Sequence, residues 1–82
     1  MEEVKYSLHA LDMMAERRIE KKWAELAVAE PERVEEREDG TRHYIRAVEE
    51  RGGRYLRVVL NPTTKPKAVI TVFFDRRLER KT

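Results

Sequence analysis

Two short, almost wholly apolar stretches joined by a proline-flanked turn constrain this chain more than anything else in it. The first runs Arg54-Tyr55-Leu56-Arg57-Val58-Val59-Leu60-Asn61 and the second Ala68-Val69-Ile70-Thr71-Val72-Phe73-Phe74-Asp75. Both read as strands. Successive strand side chains point to opposite faces, so Leu56, Val58 and Leu60 share one face while Tyr55, Arg57 and Val59 share the other. The second stretch is apolar at nearly every position from Ala68 to Phe74, as expected of a strand inside a sheet and covered, wholly or in part, on both faces.

The rest of the chain is arranged around that pair. Ser7 is placed to cap a helix, its hydroxyl free to accept from an early N–H, and Leu8, Leu11, Met14, Ala15 and Arg18 follow at three- and four-residue spacing. A second helix is expected from about Glu20 to Ala29, carrying Ile19, Trp23, Leu26 and Ala27 on one stripe and stopped by Pro31. No Gly or Pro separates the two, yet the apolar stripe changes phase near Ile19, which favours a helical hairpin. Arg33–Glu38 is a weak, charged strand suited to a sheet edge. Asp39-Gly40 forms a hairpin turn, and Thr41–Val48 is the return strand. Glu49–Gly53 and Asn61–Pro66 supply the remaining turns. The expected fold is therefore α+β, with two N-terminal helices packed on one face of a four-stranded antiparallel sheet. Residues 1–82 are read as one domain, with a basic tail from about Arg76.

A chain of 82 residues buries only about 60% of the surface it exposes when unfolded, which leaves room for one core and one functional face. It has no cysteine and only two histidines, so neither a disulfide nor a thiolate metal site is expected, and no cofactor is implied. The acidic start Met1-Glu2-Glu3-Val4-Lys5 does not resemble a secretion signal, and no apolar run approaches the roughly 20 residues of a membrane span. A cytoplasmic protein that does not engage membranes is the expectation. The bias toward Glu and Arg, with one Asn and no Gln, resembles thermophile proteins.

The net charge of +2 conceals a division. Residues 1–40 hold 7 basic and 12 acidic side chains, whereas residues 41–82 hold 11 basic and 4 acidic ones. The sheet half is the basic half, which points to a polyanionic partner, or to two faces of opposite charge with different partners. A solvated surface rich in ion pairs accounts for the same numbers.

If the helices cover the face bearing Ile45, Ala47, Leu56, Val58, Leu60, Ile70 and Val72, the opposite face displays Arg42, Tyr44, Arg46, Tyr55, Arg57, Thr71 and Phe73. Guanidinium groups beside aromatic rings suit RNA, since the first bond phosphate oxygens and the second stack on unpaired bases. The same residues also make cross-strand pairs that shield an open sheet, with arginine stems lying over apolar surface. His43 faces the helices in this register, and a slip of one residue turns it outward. On the first helix His9, Met13, Glu16 and Arg17 fall on one stripe, where an imidazole beside a carboxylate or guanidinium can handle protons. Trp23 reads as a core anchor. The chain contains no phosphate-binding glycine loop, nucleophilic triad or metal cluster.

The opening Tyr6-Ser7-Leu8-His9-Ala10, followed by Met14, Arg17 and Ile19, then Pro31 and a strand-rich half ending Ile70-Thr71-Val72-Phe73, resembles the family called domain of unknown function 4258. That family is in turn similar to the RelE/ParE/BrnT toxins, which pack two helices against a twisted antiparallel sheet. The resemblance implies a toxin of a toxin–antitoxin pair that acts on RNA or the ribosome and is held by an acidic antitoxin. It implies metal-independent RNA cleavage in which Arg46 and Arg57 stabilise developing charge and Tyr44, Tyr55 or His43 shifts a proton. Arg42, Tyr55, Thr71, Arg76 and Arg77 would hold substrate, and His9 and Arg17 match the family motif. The family often has Arg where this chain has Met13, and many of the nucleases end with a Tyr or His where this chain has Phe73, Phe74, Asp75, Arg76 and Arg77. The alternative is a non-catalytic domain whose basic sheet face binds an acidic protein.

Overall fold

The computed structural model describes residues 4–78. Its elements run β1 (Val4–Tyr6), α1 (Leu8–Glu16), α2 (Lys21–Ala29), β2 (Arg33–Glu36), β3 (Arg42–Val48), β4 (Arg54–Asn61) and β5 (Lys67–Phe74), with a 3-10 turn, Glu49–Arg51, between β3 and β4. The part of the basic tail beyond Leu78 lies outside the described residues.

The sheet has five strands in the order β1-β5-β4-β3-β2, which corrects the four-stranded antiparallel expectation. The α+β class is unchanged. The added strand is Val4–Tyr6, which lies parallel to β5 with Val4 opposite Lys67 and Tyr6 opposite Val69. Three residues are too few to display an alternation, so nothing local marks them as a strand. The neighbouring serine holds them in place. Ser7 N donates to Val69 O at 3.0 Å, and Ser7 Oγ donates to Ile70 O at 2.9 Å while accepting from Ala10 N at 3.0 Å. One serine thus closes β1, caps α1 and fastens both to β5.

Those carbonyls belong to a bulge. Val59 pairs with Thr71 but Leu60 pairs with Val69, leaving Ile70 as the extra residue. A bulge reverses the side-chain alternation beyond it. Val69 and Val72 therefore both enter the core, and Ile70, expected inside, is 37% exposed. β3 departs from expectation as a whole. Its partners are Tyr44 with Val58 and Arg46 with Leu56, so Arg42, Tyr44, Arg46 and Val48 share the helix-covered side. Tyr44 and Val48 join the core, while His43, Ile45 and Ala47 lie on the opposite side. A shift of one residue moves every side chain of a strand to the other face. The two sides of β3 are similarly apolar, so the pattern does not select between them.

The core consists of Ala10 and Met14 of α1, Trp23, Ala24 and Ala27 of α2, Ile19 between them, and Tyr44, Val48, Leu56, Val58, Leu60, Val69 and Val72 of the sheet. Leu8 and Leu11, expected on the buried stripe, are 81% and 43% exposed. Small residues take their place: Ala10, Ala24 and Ala27 are fully buried, which lets the helix backbones come close to the sheet.

The break between the helices is made without glycine. Ile19 N donates to Met14 O at 2.8 Å and Arg18 N to Ala15 O at 3.3 Å, and Ile19 packs into the core with Met14. This is a Schellman closure, whose C′ position needs the left-handed backbone that Gly adopts most cheaply. Here that residue is Arg18, with φ +55°. Arg18→Gly should therefore raise stability by about 1 kcal/mol in urea unfolding, by relieving the left-handed penalty of a side-chain-bearing residue. Arg18→Ala, which keeps its Cβ, should leave stability within about 0.5 kcal/mol of the parent.

Candidate functional site

The side of the sheet away from the helices is built around a buried cation. Only 4% of the Arg57 side chain is exposed, and it reaches three elements besides its own. Its Nε donates to Asp75 Oδ2, just past β5, at 2.9 Å, and its Nη1 donates to Glu35 Oε1 of β2 at 2.9 Å. Nη1 also lies 2.9 Å from His43 Nδ1 of β3. A guanidinium can only donate, so Nδ1 accepts and the ring proton sits on Nε2. That nitrogen lies 3.3 Å from Thr41 Oγ1, whose own hydrogen goes to Asp39 Oδ1 at 2.6 Å. Arg33 and Arg37 reach Glu35 from the rim, at 2.7 and 3.7 Å.

The electrostatics follow from these contacts. Arg77, donating to Asp75 from its backbone N, Nε and Nη2, together with Arg57 holds the Asp75 carboxyl down at about 2 against a usual 3.8, and this outweighs the opposing effect of burial. The hydrogen bond from Arg57 lowers Glu35 in the same way. Burial, reinforced by Arg57 and Arg37, pushes His43 below its usual 6.5. Both effects favour the neutral ring, whose one basic nitrogen is already engaged by Arg57.

At one end of the sheet the chain opens a cleft of about 510 Å³ lined by Arg17, Arg51, Arg54, Tyr55, Phe74, Asp75 and Arg76, with Gly52, Gly53 and Leu78. The turn that makes it depends on glycine. Gly52 and Gly53 have φ of +70° and +80° and donate to Glu49 O and Val48 O, each at 3.0 Å. Two successive left-handed residues reverse the chain tightly and place Arg51 and Arg54 on either side. Arg51 lies over the rings of Phe74 and Trp23, 5.0 and 5.9 Å from their centroids, and its Nη1 donates to Arg18 O at 3.3 Å. The neighbouring carboxylate of Glu50 is bonded to the Trp23 indole at 3.3 Å. Among the described residues none of Arg17, Arg51, Arg54 and Arg76 is paired with a carboxylate. Beyond Tyr55 and Leu78 lies a second cleft of about 320 Å³, bordered by Glu32, Arg33 and Ile45.

The residues nominated from sequence fall into three sets, with Thr71 and His9 outside them. Arg57 and His43 meet, but inside the ion-pair network. Arg17, Tyr55 and Arg76 meet at the first cleft, and Arg77 stands beside it on Asp75. Arg42, Tyr44 and Arg46 are carried to the helix side, where Arg42 bonds Glu36 at 2.7 Å and Arg46 bonds Glu30 O at the end of α2 at 2.6 Å. The three do not form a shared platform with Arg57. Thr71 is half-buried opposite Val59, and His9 is exposed on α1. Sequence reasoning passed over Arg51 and Arg54, although the run Arg51-Gly52-Gly53-Arg54 is a local signal, and over Glu35 and Asp75, for which there is none. Among the described residues no three His, Asp or Glu side chains gather to hold a metal ion, and no helix is long and apolar enough to cross a membrane.

Arg57→Ala should cost about 3 kcal/mol in urea unfolding, because it removes the buried partner of both Glu35 and Asp75 and leaves Asp75, which has almost no access to water, with Arg77 alone. The folded value of Asp75 lies below its unfolded value of 3.8, so its contribution is complete above 3.8 and is lost as pH falls toward about 2. That loss amounts to about 2 kcal/mol by linkage. For His43 the folded value also lies below the unfolded 6.5, so the unfolded chain takes up the proton first and stability declines as pH falls below 6.5. His43→Asn, which keeps an acceptor facing Arg57, should flatten the unfolding free energy between about pH 7 and 5.

No curated protein and no solved structure matches this chain. A family model described as Domain of unknown function (DUF4258) matches residues 6–74, from the end of β1 through all of β5. The chain, with its serine-capped first helix and its closing strand both inside that match, belongs to the DUF4258 family.

Proposed function

We propose that this protein is a RelE-like RNA-binding protein, of the toxin kind, that holds RNA in the cleft between the Arg51–Arg54 turn and the Asp75–Leu78 turn. The observation that carries the reading is the convergence there of Arg17, Arg51, Arg54 and Arg76 without carboxylate partners among the described residues, beside the Tyr55 and Phe74 rings. Unneutralised guanidinium groups repel one another, and an anion with several oxygens relieves that repulsion through paired hydrogen bonds. The exposed edge of an aromatic-lined cleft adds a surface on which an unpaired base stacks. A cleft of about 510 Å³ is of the size that takes a small ligand or one nucleotide of a strand.

The reading is one of binding first. Arg57 is an unsuitable phosphate clamp because Glu35 and Asp75 already answer its charge, and His43 is an unsuitable base because Arg57 occupies its free nitrogen. Of the proton-shifting groups considered, Tyr55 is the one that lines the cleft, so any cleavage of RNA would depend on it.

Fluorescence anisotropy with a labelled single-stranded RNA tests the proposal. Affinity should fall steeply as salt rises from about 50 to 200 mM, and Arg54→Ala and Arg76→Ala, both exposed, should each weaken binding and lower the log–log salt slope by about 0.7. Binding that ignores salt, or slopes unchanged by both substitutions, would rule the cleft out as the contact surface.

A further inference from the structure

We infer that the cleft accepts the phosphate at an RNA chain end, a phosphomonoester dianion, in preference to the internal phosphodiesters of a strand. This rests on the RNA-binding reading above and narrows it. An internal phosphodiester carries one negative charge, whereas a terminal phosphate carries about 1.5 to 2 near pH 7 and presents three acceptor oxygens. The four guanidinium groups do not lie along one strand or helix as a track for a backbone. The arginines that carry them come from the end of α1, the 3-10 turn, the start of β4 and the segment after β5, and all four line one cleft. Among the described residues the one carboxylate in the lining, Asp75, is already answered by Arg57 and Arg77, so it subtracts little from that concentration of charge.

Arg51 is the anchor of this arrangement. Its face is spent on Phe74 and Trp23 and one of its N–H groups on Arg18 O, so the group is fixed in place while its other donors stay available. Arg18 delivers that carbonyl from a left-handed backbone which a glycine would adopt at less cost. The space past Tyr55 and Leu78 differs in character. Among the described residues it is bordered by one acid and one base, with Glu32 occupied by Ala47 N at 2.9 Å, and the buried Ile45 forms part of its wall. A cationic pocket opening past an aromatic ring into a nearly neutral one suits a terminal nucleotide, with its phosphate on Arg51 and its base against Tyr55.

The test compares one short single-stranded RNA in three forms, bearing a 5′-phosphate, a 3′-phosphate or hydroxyls at both ends, with a nucleoside monophosphate as competitor. One phosphorylated form should bind about tenfold tighter than the hydroxyl form, as expected of added charge-assisted hydrogen bonds. Arg51→Ala, checked for folding by its circular dichroism, should erase that preference, and the exposed Arg76→Ala should reduce it. Equal affinity for all three RNAs with salt-sensitive binding retained would overturn chain-end recognition and leave the RNA-binding reading standing. No salt-sensitive binding to any of them would overturn both. A nucleoside monophosphate that displaces the RNA at equal concentration would assign the site to free nucleotides and overturn the chain-end inference.

Discussion

The open side of this sheet depends on the charge of Arg57 being answered from two directions. A guanidinium withdrawn from water is tolerable only if its donors are matched, and here β2 supplies Glu35, the segment after β5 supplies Asp75, and β3 supplies a neutral imidazole. Each partner sits on a different piece of chain, so the one cation draws the short edge strand and the C-terminal turn onto β4. The edge strand otherwise has four residues of ladder to hold it. The turn is fixed further by Asp75, which accepts from Arg77 on the outside while bound to Arg57 within. That same turn forms one wall of the cleft, so the shape of the candidate site is set by a residue that never enters it.

Much of the architecture was legible because local chemistry and tertiary need agree. Ser7 caps as its hydroxyl suggests, Pro31 follows the second helix, Asp39-Gly40 turns the chain, and β4 buries Leu56, Val58 and Leu60 together. The failures occur where alternation carries no information or is interrupted. β3 has apolar residues on both sides, and Tyr44 and Ile45 are both buried, under opposite layers. In β5 the bulge at Ile70 exchanges inside for outside midway, and an all-apolar strand shows no sign of the exchange. β1 is a strand because β5 has an unpaired flank, which no property of Val4, Lys5 or Tyr6 announces.

The candidate site was legible in part for a related reason. Composition located positive charge in the second half of the chain but not on a surface. Arg17 and Arg76 are distant in sequence and meet only after α1, the glycine turn and the end of β5 are assembled. Arg51 and Arg54 carried a local sign in the two glycines between them, since a turn with two left-handed residues must project its flanking side chains from one short segment. What that sign could not convey is which arginines would be neutralised. Arg57 looked like the outward cation of its strand, and it does lie on the open side, but the acids that consume its charge arrive from β2 and from beyond β5.

The charge asymmetry of the sequence takes a specific form in the fold. Two acidic residues of the first half are spent on arginines of the second, Glu36 on Arg42 and Glu35 on Arg57. These pairs answer positive charge on β3 and β4, whereas Arg17, Arg51, Arg54 and Arg76, at one end of the sheet, have no carboxylate partner among the described residues. There Glu50, the acid next to Arg51, is drawn to the Trp23 indole, and Arg51 is supported by rings and a carbonyl that hold it without cancelling its charge. A surface designed only for solubility would intersperse its signs. The gathering of four arginines, without carboxylate partners among the described residues, in a glycine-turned, ring-lined cleft, at the expense of a left-handed Arg18, is instead an arrangement that an anion would stabilise.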